Sequence, residues 1–254
     1  MQTKEKPYIL DETEDFAVVY KPPCMHSAPS TQSSGDTLFD WYAALFPPLM
    51  GLSGKKPGEG GLMHRLDFHT QGLVLFAKNQ KTFDLLHKEQ EEGHFVKEYK
   101  ALCHKVSVTR QGFPAFCAPD TIPAVVESYF RPFGPGRKEV RPVLQAQSSF
   151  YKIAADRGGY YRTKILGFDE VSSWTDRGLS SVVYSFNLSI TRGFRHQIRC
   201  HLAWMGYPII NDPLYGQTGA GKTGNLALCS YGLHFPGYDY RIAGQELELS
   251  LDSR

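Results

Sequence analysis

The five cysteines (Cys24, Cys103, Cys117, Cys200 and Cys229) form no Cys-x-x-Cys pair, and no Cys/His cluster has zinc-ligand spacing. Structural zinc modules and two-cysteine redox motifs are therefore excluded. The odd count argues against a disulfide framework and for a reducing compartment. The chain also lacks any apolar run approaching the roughly 20 residues of a membrane span, and its polar start, Met1 to Lys6, has no signal-peptide core. Charge of one sign is not in excess. Lys and Arg number 28 against 26 Asp and Glu, a formal net charge of +2 with a pI near 8.2. Such a balance permits nucleic-acid binding through a local basic face without demanding it. There is no internal repeat and no clear linker. These absences describe a soluble, cytoplasmic protein with no membrane partner and no metal.

What is present fits one globular unit. The chain has 254 residues, 41% hydrophobic and 21% charged, enough to build a core. Tyr8-Ile9-Leu10 and Phe16–Tyr20 predict a hairpin stopped by Pro22-Pro23. Asp36 is placed to cap a helix with Leu38, Trp41 and Leu45 on one stripe, ending at Pro47-Pro48. A glycine-rich loop, Gly51 to Gly61, precedes a strand at Gly72–Ala77. Asn79 caps a helix with Phe83 and Leu86 inward, closed by Gly93. Further strands are predicted at Phe95–Leu102, Ala124–Phe130, Thr163–Leu166, Val182–Ile190 and Glu246–Leu251, with an irregular polar stretch around Asp169 to Arg177. A helix over about Arg195 to Met205 carries Ile198, Leu202 and Met205 on one stripe and Arg195 and Arg199 on a neighbouring one. The fold class is α+β, and the chain reads as a single domain over 1–254.

Two clusters bear chemistry. In Arg65-Leu66-Asp67, an extended backbone puts Arg65 and Asp67 on one side and Leu66 on the other, between a glycine-rich loop and an apolar strand. An arbitrary Arg-x-Asp is more often a turn cap beside a solvated charge. The second cluster is Arg192, Arg195 and Arg199 around a helix start. It suits phosphate contacts or a carboxylate partner, and equally an ordinary basic surface helix.

At this point a resemblance becomes specific. His64-Arg65-Leu66-Asp67-Phe68-His69-Thr70-Gln71-Gly72, continuing through Leu73 to Lys78, resembles the HRLDxxTSGLLLFAK motif of RluA-type pseudouridine synthases. Lys97-Glu98-Tyr99-Lys100-Ala101 is similar to that family's K-x-Y-x-A strand. His196-Gln197-Ile198-Arg199-Cys200-His201-Leu202, then Gly206-Tyr207-Pro208-Ile209 and Asp212-Pro213-Leu214-Tyr215-Gly216, resembles its HQIRxHL, GxPI and DxxYG blocks. The opening Asp15 to Pro22 fits its start. The resemblance implies an isomerase that converts uridine to pseudouridine in structured RNA, either rRNA or tRNA, by base flipping, and so a role in RNA processing. It implies a mixed and mostly antiparallel sheet with flanking helices; the reaction involves no redox change and so needs no cofactor, and nothing requires more than a monomer. Asp67 would be the catalytic aspartate. Arg65 would help displace the target nucleotide, Tyr99 would sit against the flipped uracil and assist proton transfer, and Arg199 would pair with Asp67 and aim it. His64, Arg192 and Arg195 fall in or beside the motifs as substrate-binding residues. The expectation is a chain that starts at the catalytic domain, without the extra amino-terminal RNA-binding module that many relatives carry. Six residues at four places depart from the pattern: Gln71 replaces Ser, Phe194-Arg195 replaces Arg-Thr, Asn211 replaces Gly, and Cys229-Ser230 replaces His-Ala.

Other readings compete. Gly216 to Thr223 matches the P-loop letters G-x-x-x-x-G-K-[ST], but Asn211–Tyr215, with its central Pro, is a poor preceding strand. A non-catalytic RNA-binding protein on the same fold would be signalled by loss of the aspartate. Metal binding by His64, His69 and His196 lacks ligand spacing. Arg131, Arg137, Lys138 and Arg141, beside Phe130 and Phe133 around a Gly-Pro-Gly tip, suggest either an RNA-gripping hairpin or a solvated basic loop.

Overall fold

The structure, a computed structural model, describes residues 5–29, 35–107, 110–116, 124–144, 159–176, 179–216 and 224–242. In chain order the elements are β1 (Tyr8–Glu12), β2 (Phe16–Lys21), α1 (Leu38–Leu45), β3 (Gln71–Ala77), α2 (Gln80–Glu92), β4 (Val96–His104) and β5 (Ala124–Phe133). There follow β6 (Glu139–Val143), β7 (Tyr161–Asp176), β8 (Leu179–Ile190), α3 (Gln197–Trp204), β9 (Leu228–Phe235) and β10 (Tyr238–Arg241). The class is α+β, with mostly antiparallel strands and few helices, as the sequence implies. The chain divides into two compact units, Met1–Lys97 with Cys229–Ala243, and Glu98–Leu228 with Gly244–Arg254.

In the first unit, β1 pairs with β2 and β2 with β3, both antiparallel. β3 then meets β9 in parallel at Gln71↔Cys229 and Gly72↔Ser230, and β10 closes on β9. Every residue of β2 and β3 is buried. Their near-continuous apolar runs are therefore those of interior strands covered on both faces. Gly72 has φ +121 at the crossing with β9, where a Cβ would fall on the Ser230 backbone, so no other residue fits there.

Both helices of this unit begin with a side-chain cap. Asn79 accepts from the Thr82 N–H and Gly93 closes α2 at φ 84, as the spacing predicts. α1 differs from expectation. Its cap is Thr37, not Asp36, in a reciprocal capping box with Asp40. Its buried face is Leu38, Phe39, Tyr42 and Ala43, while Leu45 is exposed. The expected Leu38–Trp41–Leu45 stripe fails because the Tyr42 ring packs on Phe76 at 4.9 Å and its hydroxyl donates to Glu12 at 2.9 Å, turning the helix by a residue.

In the second unit the strand order is β4-β8-β7-β5-β6. The polar stretch at Asp169 to Asp176, expected to be irregular, is the outer half of β7. It pairs with β8 from Lys164↔Ser189 to Asp176↔Leu179. A two-stranded ladder satisfies its backbone without an alternating apolar pattern. The predicted strand at Glu246–Leu251 lies outside the described residues.

Candidate active site

In the first unit, Asp67 stands on the irregular segment before β3, and each flank of that segment is tied down. Ser27 Oγ donates to the Leu66 carbonyl at 2.8 Å and accepts from the Leu66 N–H at 2.9 Å. The Thr70 N–H donates to the Asp67 carbonyl at 3.1 Å, and the Met25 N–H donates to that of Phe68 at 3.2 Å. The Leu75 N–H donates to His64 Nε2 at 3.3 Å, which leaves the ring proton on Nδ1. Burial, then Lys97 and Lys55, push the His64 pKa well below the ordinary value, so this histidine is neutral and braces the loop on β3. Leu66 is buried while Arg65 is exposed, the alternation predicted.

Lys21, which the sequence reading passed over, lies at the centre of this bracing. It is fully buried, and its ammonium donates to the carbonyls of Pro22 and Met25 at 2.8 Å and Phe68 at 3.4 Å. Burial lowers its pKa to about 7, while attraction to Asp67 and Cys24 opposes that fall. A cation buried under this loop thus attracts the carboxylate of Asp67. The only signal was the Lys-Pro that ends β2. Arg65 Nη1 pairs with Glu59 at 2.9 Å, the arginine side chain half-exposed and the glutamate buried.

The second unit holds Tyr99, Arg192, Arg195 and Arg199. Tyr99 is buried, on the same face of β4 as Ala101. α3 is buried on all sides, so each of its polar side chains needs a partner. Gln197 Nε2 donates to the Arg162 carbonyl and to Thr163 Oγ1, and His201 lies between Ser128 and Thr163. Burial holds the His201 pKa down to about 3. Arg199 makes a two-pronged contact with Asp212, Nε to Oδ2 and Nη2 to Oδ1, each 2.8 Å. Asp212 Oδ1 also accepts from the N–H groups of Leu214 and Tyr215. Burial alone would raise the Asp212 carboxyl, but Arg199 and those two N–H groups hold it below the usual range. Asp212 is the second residue the sequence reading missed; it appeared there only as a letter in the DxxYG block.

α3 starts later than predicted. His196, at φ 57, takes the left-handed conformation at the helix cap, which leaves Arg195 outside the helix and off any shared stripe with Arg199. Arg195 instead donates to the carbonyls of Arg137 and Glu139. Arg192 lies over the Tyr161 ring, 5.1 Å from its centre. Of the P-loop letters only Gly216 is described, and Leu214 to Gly216 end a turn held by Asp212, not a strand.

Residues 15–204 match the family described as RNA pseudouridylate synthase. The chain belongs to that family. It is 29% identical over 208 residues to an uncharacterized RNA pseudouridine synthase, the MG209 homolog of Mycoplasma pneumoniae, covering 82% of this chain and 55% of the relative. It is 24% identical over 229 residues to ribosomal large subunit pseudouridine synthase D of Borreliella burgdorferi, covering 89% of this chain and 60% of that one. The chain therefore spans little more than half the length of these pseudouridylate synthases. In fold it is similar to human RNA pseudouridylate synthase domain containing 1, at 18% identity and a TM-score of 0.62, covering 96% of this chain and 84% of that one. The corresponding human domain containing 4 protein gives 19% and 0.60, covering 96% and 91%.

The buried lysines of this pseudouridylate synthase fold make stability depend on pH. Lys97 is 5% exposed, with its ammonium over the Phe95 ring at 5.6 Å. Burial, and then repulsion from Lys55, lower its pKa to about 7. Above that pH the folded state has released a proton that an unfolded lysine keeps up to about 10.4. Stability is therefore lowest below pH 7 and climbs above it, by up to about 1.4 kcal/mol per pH unit for each of Lys21 and Lys97. The climb ends near pH 8.5, where unfolded thiols ionise but the Cys103 and Cys200 thiols, held up by burial, do not. Lys97→Met should roughly halve the slope between pH 7 and 8.5 in urea titrations; an unaltered slope would contradict this.

Proposed function

We propose that this chain is an RNA pseudouridine synthase, in which Asp67 is the catalytic aspartate and the whole of 1–254 serves as one catalytic domain. The observation that carries the reading is the bracing of Asp67. Its carboxylate is presented on a loop fixed by Ser27, Lys21 and His64, within the motif the family match covers. Pseudouridine formation breaks the C1′–N1 bond, turns the uracil and rejoins it through C5, and the C5 proton leaves. Electrons balance without a redox partner. A carboxylate serves by attacking the sugar or the ring, or by taking a sugar proton, and each route needs it ionised and aimed.

The other roles follow from side-chain chemistry. Extruding a stacked base costs a few kcal/mol and needs a side chain to fill the gap. Arg65, half-exposed and held by one carboxylate, is long enough to leave Glu59 for that task. Tyr99 offers a face to the flipped uracil and a hydroxyl for proton transfer, and Arg199, its guanidinium held by Asp212, takes the aiming role that the resemblance assigns it. Arg192 and Arg195 meet the RNA backbone, and His64 acts on the substrate through the loop it braces. The substrate is structured RNA, ribosomal or transfer, met by a cytoplasmic monomer that uses no metal or cofactor. Mapping pseudouridines in total RNA with and without the gene tests this. Loss of one or a few defined pseudouridines is expected. An unchanged map, from a chain that still binds RNA, would replace the synthase with a non-catalytic binder.

A further inference from the structure

The motif that carries Asp67 leaves two places open before its threonine, and this chain fills them with Phe68 and His69. Phe68 follows Asp67 directly, yet it is not drawn into the core: the residue is 37% exposed. Leaving a phenylalanine ring in water forgoes the gain of burying it. Apolar side chains scattered singly over a surface are common, but this one is held in place. Its carbonyl accepts from the Met25 N–H at 3.2 Å and from the Lys21 ammonium at 3.4 Å. Its ring meets two histidines: His26, with ring centres 4.7 Å apart and a tilt of 47°, and His69, edge-on at 4.8 Å and 84°. His26 is exposed and fixed at the entrance to α1, where its carbonyl accepts from the Leu38 N–H at 2.8 Å. His69 is half-buried, with Nδ1 3.7 Å from Cys24 Sγ.

Three rings therefore form a small aromatic surface beside Asp67, built from two segments, 24–26 and 67–69, that the Met25–Phe68 bond ties together. Its backbone is anchored and its rings brace one another, so a flat ligand stacks on it at little ordering cost. A π-face accepts any base, and Phe and His are among the side chains on which splayed RNA bases stack. Swinging one nucleotide out of a stack also strips a face from each neighbour. A reaction centred on Asp67 thus leaves a bare base to be covered close by. We propose that Phe68, flanked by His26 and His69, is a stacking platform for the unpaired base adjoining the target uridine. It would select uridines whose neighbour is free to leave a duplex. The proposal rests on the synthase reading for the uridine beside that base.

The test uses the full chain and two synthetic RNA hairpins with the same stem. One has a single-stranded loop of purines around one uridine; the loop of the other keeps its sugars and phosphates but lacks bases. Fluorescence anisotropy at fixed salt gives the affinity for each. Phe68→Leu keeps apolar bulk and removes the π-face. It should bind the first hairpin about tenfold more weakly, the effect of one lost base–aromatic stack, and the second as tightly as the natural chain does. Phe68→Trp should hold the affinity for the first hairpin, and its added indole should lose fluorescence on binding that hairpin but not the second. Thermal melting shows that each variant is folded. Phe68→Leu losing nothing, or losing equally on both hairpins, overturns the proposal; equal losses are what a residue that only shapes the loop would give. Pseudouridine formation is read separately. A chain that forms none yet shows the base-dependent loss sinks the synthase reading and leaves the platform standing. A chain that forms it, while Phe68→Leu keeps full affinity for both hairpins, loses the platform alone.

Discussion

On the proposed function, Asp67→Asn should abolish pseudouridine formation, by at least about a thousandfold, and leave a folded chain that still binds RNA. The amide has the size of the carboxylate but neither its charge nor its capacity to form a bond to carbon or take a proton. The loop should survive the change, since its bracing runs through backbone groups: Ser27 to Leu66, the Thr70 N–H to the Asp67 carbonyl, and Lys21 to three carbonyls. Lys21 loses an attractive neighbour, and with its pKa already near 7 it can shed its proton instead of unfolding the segment. Single-turnover kinetics and RNA affinity, measured on one preparation, separate the two effects. A variant that isomerises at the normal rate contradicts the role given to this residue.

The largest effect on stability is expected from Asp212→Asn. Arg199 and Asp212 are 3% and 0% exposed, and the arginine charge has its geometry set by both carboxylate oxygens. Removing one member of a buried pair leaves the other charge uncompensated, which costs about 3–5 kcal/mol. That is a large share of the roughly 5–15 kcal/mol by which domains are stable. Asn at this site also offers an N–H₂ where one oxygen accepted from the guanidinium. Because the folded Asp212 carboxyl is held below its ordinary range, its contribution is complete above about pH 4 and is lost as pH falls below that. Replacing both partners, as Arg199→Met with Asp212→Asn, removes the stranded charge and keeps an oxygen for the Leu214 and Tyr215 N–H groups, so it should recover most of the stability without recovering activity. Urea midpoints measure both variants. A midpoint for Asp212→Asn equal to that of the natural chain would show that the pair holds nothing together.

These cases also show which parts of the molecule are legible in its sequence. β2, β3 and α2 can be read because local chemistry and tertiary burial agree. Phe16–Tyr20 and Gly72–Ala77 are continuous apolar runs, and Asn79 and Gly93 bracket a helix whose inner face is Phe83 and Leu86. The roll of α1 is not legible, because a hydroxyl reaching Glu12 and a ring on Phe76 decide it, 30 and 34 residues away in sequence. The outer half of β7 escapes for a different reason. Its residues follow no period of two, and the pairing with β8 alone makes it a strand. α3 shows an apolar stripe, but nothing in its periodicity says that Gln197, Arg199 and His201 are buried too. Motif letters locate Asp67 and Arg199, while the groups that hold them, Lys21 and Asp212, are single residues with no periodic signal.

One measurement tests the central claim most directly: the release of tritium from RNA labelled at C5 of its uridines when the purified chain is added. Forming a carbon–carbon bond at C5 must expel that hydrogen, so release in step with pseudouridine appearance, abolished in Asp67→Asn, is the predicted result. RNA drawn from cells lacking the gene, bound by the chain yet retaining all its label, would contradict the account.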